Sequence, residues 1–260
     1  MSKFSNLLDG AKENMSFERI INTALQAPLV NIDRETFLRK ELSICCSEDA
    51  INEAVQFNPA YAGVKRERID IIAKQVIDYE TTKVTALSVA ASLPSSVAIP
   101  AAIAAAGADI TSYFVFILRA VQELAYLYGF PEFDLNDSSI DSVTMNYIMI
   151  FLGTMFGVQG AQSVLGKAAE SFAAQTAKSL AKSGLTKGAI YPLVKSIAKR
   201  IGIRMTTQIF ADTVASAIPF IGSGLSGALT YAAYKPNCLK LQKLLREYDL
   251  SDPSVYHKEG

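Results

Sequence analysis

Three stretches of this chain, residues 84–108, 142–166 and 213–234, carry no charged side chain, and each of them is interrupted. All three reach the roughly 20 residues that a helix needs to cross a bilayer. Pro94 and Pro100 cut the first, Gly153, Gly157, Gly160 and Gly166 loosen the second, and Pro219, Gly222, Gly224 and Gly227 divide the third. Proline removes a helix N–H and clashes with the preceding turn, and each glycine weakens a helix interior by about 1 kcal/mol. Such segments are predicted to form broken helices that shield one another, either in a very apolar core or against a membrane, rather than straight spans.

Half of the residues are apolar by the AVILMFWYC count, and adding glycine lifts the share above that of ordinary soluble domains. Formal net charge is zero but unevenly spread: Lys167, Lys178, Lys182, Lys187, Lys195, Lys199, Arg200 and Arg204 face a single nearby acid, Glu170. A basic block in a neutral chain points to an anionic partner or to a solvated helix face. The three cysteines, Cys45, Cys46 and Cys238, have no metal-type spacing, and adjacent cysteines pair poorly, so a reducing, cytoplasmic compartment is expected. The amino terminus contains acids and lacks an apolar signal core.

Helical periodicity dominates, and no run of alternating β-branched residues with hairpin turns appears. The predicted fold is therefore all-α, a single multi-helix bundle with apolar central helices interrupted by Gly, Ala and Pro. A first amphipathic helix is expected over 17–25, stopping before Pro28, as part of an N-terminal segment 1–30. The main helical domain covers 31–250, and 251–260 reads as a polar tail. Asp33 and Ser47 sit where N-caps belong, since their side-chain oxygens can accept orphan N–H groups of the first turn. A long helix follows over about 64–93, then one over about 100–128 that ends at Gly129 and Pro131. The acidic, turn-rich 131–141 is the best internal linker. A further helix is expected over about 143–166, with Gly153 and Gly157 at a spacing that lets two backbones approach. The chain after Pro219 divides into a small-residue segment and a separate amphipathic helix over 239–250.

Few residues can carry chemistry. His257 is the only histidine, which excludes histidine-based triads and multi-histidine zinc sites within one chain. Gly222, Gly224 and Gly227 spell a GxGxxG pattern, but with no strand before it, close helix packing is the expected use and no cofactor is implied. Asp109, set in apolar surroundings, must find a donor or become protonated. Two readings of it stay open: a core aspartate that fixes helix register, or a functional acid in a cavity or membrane-facing groove. Arg119 and Glu123, spaced i, i+4, read as a surface ion pair. Lys178 and Lys182 share a helix face, with Phe172, Ala173, Ala177 and Leu180 as apolar material elsewhere, so this segment can lie in a membrane interface. Lys195, Lys199, Arg200 and Arg204 extend the candidate lipid contacts. No groove-reading module or aromatic platform supports nucleic acid as the partner.

The segment 121–131, VQELAYLYGFP, preceded by the proline- and alanine-rich run and by Asp109 and Ile110, resembles the signature of the EcsC family. The upstream DRETFLRKEL and the late IPFIGSGLSGALTYAAY extend the resemblance over most of residues 28–240. It implies a bacterial, largely helical protein of undetermined molecular function, named for an operon that also encodes an ABC-type exporter. It carries over no catalytic residue. The positions that match the recurrent pattern are Asp109, Gln122, Tyr126, Tyr128, Gly129 and Pro131, then Pro219, Gly222 and Gly227. Capping alone explains Gly129 and Pro131, which leaves Asp109 and the tyrosines as candidates for more than architecture.

The expectation is a cytoplasmic, peripherally membrane-associated binding or regulatory protein that docks on an anionic surface, with a membrane protein as a possible partner. Two alternatives stand beside it: an enzyme or carrier for a hydrophobic ligand near Asp109, and a membrane-inserting effector.

Overall fold

The computed structural model describes residues 17–27, 29–92, 110–133, 135, 142–158, 160–179 and 227–256. These form an all-α bundle: α1 (Phe17–Leu25), α2 (Arg34–Leu42), α3 (Glu48–Gln56), α4 (Arg66–Ser92), α5 (Ile110–Leu127), α6 (Ser142–Phe156), α7 (Ala161–Ser179) and α8 (Gly227–Arg246). Two 3-10 turns, Asp249–Ser251 and Pro253–Val255, follow. No strand occurs among the described residues.

The short helices start where their caps dictate. The Asp33 carboxylate accepts the Thr36 N–H at 2.7 Å, and the Ser47 hydroxyl accepts that of Ala50 at 3.3 Å. Glu48 and Asp49 add negative charge to the first turn of α3, where the helix dipole favours it.

Helix α5 is the axis of the bundle, touching α1, α2, α4, α6 and α8. From Tyr113 to Phe130 only Phe116 and Arg119 keep appreciable exposure. A helix apolar on all sides has to be enclosed by others. Full burial of each large apolar side chain stabilises by about 1.5–3 kcal/mol, so this helix supplies a large part of the core. Its end is a Schellman cap: Gly129 adopts φ +96°, the Phe130 N–H donates to Ala125 O at 2.9 Å, and the Gly129 N–H to Tyr126 O at 3.3 Å. Beyond the cap, Phe130, Phe133, Tyr147 and Phe151 form an aromatic cluster with neighbouring ring centroids 5.0–5.4 Å apart.

Two sequence expectations change here. The helix expected over 143–166 is two helices, because Gly157 adopts φ +83° and closes α6 with a second Schellman cap, Val158 N–H to Gly153 O at 2.7 Å and Gly157 N–H to Thr154 O at 3.3 Å. The i, i+4 glycine spacing thus marks the two ends of a cap instead of a helix–helix seam. Conversely, residues 227–234 of the small-residue segment run on into the last amphipathic helix, since α8 continues through Pro236. Pro236 is exposed, so its ring lies on the outer side of α8.

Residues 251–256, the start of the expected polar tail, pack onto the body. The Tyr256 hydroxyl receives the Asn58 side-chain amide at 3.2 Å and donates to Leu250 O at 3.2 Å. Cys45 and Cys46 are both free, their sulfurs 3.4 Å apart, and burial followed by the neighbouring thiol pushes Cys46 up to about 11.

Candidate functional site

Polar side chains in an apolar bundle must satisfy one another, and the described residues do so at several places on and just after α5. Gln122 donates to Val30 O at 2.8 Å and Leu118 O at 3.0 Å and accepts the Ile32 N–H at 3.2 Å, so it ties the segment before α2 to the central helix. Arg34 is buried, and Glu132 is near enough to favour its charge. Its guanidinium donates to Val55 O at 2.7 Å, Phe57 O at 2.9 Å, Ala54 O at 3.3 Å and Phe130 O at 3.3 Å. Three of those acceptors close the C-terminal end of α3, where the helix dipole favours a cation. Desolvation still dominates and lowers Arg34 to about 10.

The tyrosines singled out by the family resemblance tie neighbouring segments together. The Tyr126 hydroxyl accepts the Phe133 N–H at 3.2 Å and fixes the turn after α5. Tyr128 donates to Asp70 Oδ1 at 2.7 Å, while Arg246 Nε holds Asp70 Oδ2 at 2.6 Å, joining α4, α5 and α8.

A further such place is a cleft of about 310 Å³ between α2, α4 and α5. Ile32, Phe37, Val76 and Tyr79 give it apolar surface, and Glu80, Lys83, Arg119 and Glu123 give it charge. Glu80 is 1% exposed and Glu123 5%, so the expected surface pair of Arg119 and Glu123 is a buried cluster instead. The i, i+4 spacing does bring Arg119 and Glu123 together, but a second carboxylate comes from α4, which covers the pair. Arg119 Nη2 lies 3.3 Å from Glu80 and 3.5 Å from Glu123, Lys83 Nζ lies 2.8 Å from Glu80, and Arg119 Nη1 also donates to Leu29 O. At the rim, Lys83 Nζ stands 4.2 Å from the centroid of the Tyr79 ring, which is 58% exposed.

Oε2 of Glu123 is buried and has no hydrogen-bond partner. Burial first and the negative Glu80 second push the Glu123 carboxyl up to about 8, with Arg119 and Lys83 pulling the other way. The floor of the cleft therefore holds a carboxyl group that keeps its proton at neutral pH. Strongly perturbed acids in clefts are candidates for binding or proton transfer. Among the described residues no group of three or more His, Cys, Asp or Glu side chains is placed to hold a metal ion.

Most of the residues proposed from sequence are not among the described ones. Asp109 falls outside the described residues, as do Lys182, Lys195, Lys199, Arg200 and Arg204. Lys178 belongs to the last turn of α7. Gly222 and Gly224 are outside as well, and Gly227 is the first residue of α8. One expectation for the basic segment is corrected. Phe172 and Ala173, read as apolar material for an interfacial helix, are buried in the protein, with the Phe172 ring 6.0 Å from Phe130 and 6.2 Å from Tyr147.

No family model, curated protein or solved structure matches this chain.

Proposed function

We propose that this chain is a helical binding or regulatory protein that docks peripherally on anionic membrane surfaces through the base-rich segment 167–204. The observation that carries the reading is the charge distribution, with Glu170 the one acid among Lys167, Lys178, Lys182, Lys187, Lys195, Lys199, Arg200 and Arg204 in a chain of formal net charge zero. Each base near an anionic leaflet contributes about 1 kcal/mol, and the attraction fades within a Debye length. Lys167 is exposed on α7 while the apolar side of that helix packs inward, so α7 offers a membrane its charges rather than its aliphatic residues. Among the described residues no helix is long and apolar enough to cross a membrane. Kinship with EcsC proteins, a cytoplasmic setting and a membrane-protein partner belong to the same proposal.

Flotation with phosphatidylcholine vesicles, with and without phosphatidylglycerol, tests it. The protein is expected to float with the anionic vesicles at low salt, to detach as salt rises, and to bind less after Lys178→Glu with Lys182→Glu. Vesicles loaded with dye are expected to stay tight. Absence of flotation at low salt, or binding indifferent to the charge reversals, overturns the reading, and dye release turns it into insertion.

A further inference from the structure

We propose that the cleft between α2, α4 and α5 binds a small organic ammonium ion, whose N–H group donates to the free carboxyl oxygen of Glu123 while its apolar body lies against Phe37, Val76 and Tyr79. The inference is independent of the membrane reading and rests on the donors and acceptors of the cleft. Every cation in the wall already has an acceptor: Lys40 donates to Glu41 at 2.7 Å, Lys83 to Glu80 at 2.8 Å, and Arg119 to both Glu80 and Glu123. One oxygen, Glu123 Oε2, has no hydrogen-bond partner. An anion would meet the carboxyl groups of Glu41, Glu80 and Glu123, and a purely apolar molecule leaves the buried oxygen as it is, without a partner. An ammonium group pairs with that oxygen as the carboxyl gives up its proton. Room for it comes from Lys83, whose side chain is 35% exposed and can swing outward. The placement of the Lys83 ammonium over the Tyr79 ring, beside Glu80, shows that the rim already accommodates such a cation. The volume of about 310 Å³ suits a molecule at the small end of the usual ligand range.

Binding is coupled to a proton. Before binding, Glu123 holds its proton at neutral pH; on binding, the proton passes to the buffer and the carboxylate pairs with the ligand ammonium. The titratable groups that share the cleft with it or act on it are Asp33 before α2, Lys40 and Glu41 on α2, Tyr79, Glu80 and Lys83 on α4, Arg119 on α5, and Tyr234 and Cys238 on α8, the last two kept neutral because burial pushes both upward. Helix α1 brings no titratable group among its described side chains. Affinity is therefore expected to rise by about tenfold per pH unit until Glu123 ionises unaided.

Titration calorimetry of the full chain with benzylamine, benzyl alcohol and benzoate, in two buffers of different protonation heat, tests the proposal. Benzylamine is expected to bind with release of about one proton near neutral pH, and the neutral and anionic analogues at least about tenfold more weakly. Glu123→Gln, checked for folding by its thermal melt, is expected to abolish proton release and weaken benzylamine by about tenfold. Tyr79→Ala, on the rim, should weaken binding and leave proton release intact. Glycerophosphoethanolamine that displaces benzylamine assigns the ammonium to a lipid headgroup; failure to displace assigns it to a soluble amine. Equal binding of the three analogues, no benzylamine heat at millimolar concentration, or unchanged binding to Glu123→Gln overturns the proposal.

Discussion

Arg119 approaches one carboxyl oxygen of Glu123 at 3.5 Å, while the other oxygen of that carboxyl is buried without a partner. This asymmetry makes Glu123 a source of pH-dependent stability. Its carboxyl is raised from 4.5 to about 8. Below the unfolded value both states hold the proton and nothing is lost. As pH rises past that value the unfolded chain gives up its proton while the folded one keeps it, so stability falls until the folded group ionises near the upper value. Glu123→Gln, neutral throughout, is expected to match the parent near about pH 4 and to exceed it by on the order of a few kcal/mol near about pH 8. Urea unfolding across that range measures the difference, and parallel profiles for the two proteins would remove Glu123 as its source.

Arg34 is a buried staple held by backbone carbonyls. Its four carbonyl acceptors lie on α3, at the end of α3, and after α5, and they match the fork of a guanidinium. Lysine is shorter and ends in a single ammonium group, so Arg34→Lys leaves at least two buried carbonyls unpaired. A loss of about 2–4 kcal/mol is expected, read as a lower denaturation midpoint with the slope unchanged. Arg34→Ala adds a cavity and should cost more.

Two glycines with similar backbone angles are expected to differ. Gly63 adopts φ +76° with open space around a would-be Cβ, whereas at Gly129, φ +96°, a Cβ would meet the Leu250 carbonyl oxygen at 2.9 Å. Gly63→Ala carries only the left-handed penalty, about 1–2 kcal/mol. Gly129→Ala adds a backbone clash that no rotamer relieves, so roughly 2–4 kcal/mol is expected. Thermal melts of the two variants side by side separate conformational strain from crowding.

The cap residues and helix starts were legible because they act over three or four residues: Asp33, Ser47 and Gly129 each satisfy or terminate a neighbouring turn. The break at Gly157 was not, since a glycine four residues after another fits both a helix seam and a Schellman cap, and only the φ angle tells them apart. The cleft was half legible. Arg119 and Glu123 are visible as a pair, but Glu80 lies 39 positions from Arg119 and enters through the packing of α4 on α5. Arg34 gave no signal, because its acceptors are backbone carbonyls that any sequence possesses. An unpaired basic residue beside an N-cap would have been the only clue to it. Asp109 and the bases from Lys182 to Arg204 were chosen for isolation and clustering, which are properties of sequence alone, and they fall outside the described residues.

Phe172 decides which way α7 faces. Its ring is buried beside Phe130 and Tyr147, and the same side of the helix carries Leu165, Ala168 and Ala169, all at 0% exposure. An interfacial helix would instead leave these residues available to acyl chains. Phe172→Ala is therefore expected to destabilise the protein by about 3–5 kcal/mol, a core truncation with a cavity behind it. Lys167→Glu, on the exposed side of the same helix, should leave the melting temperature nearly unchanged while reducing flotation with anionic vesicles. A Phe172→Ala protein that melts like the parent but no longer floats would reverse the assignment of the two faces.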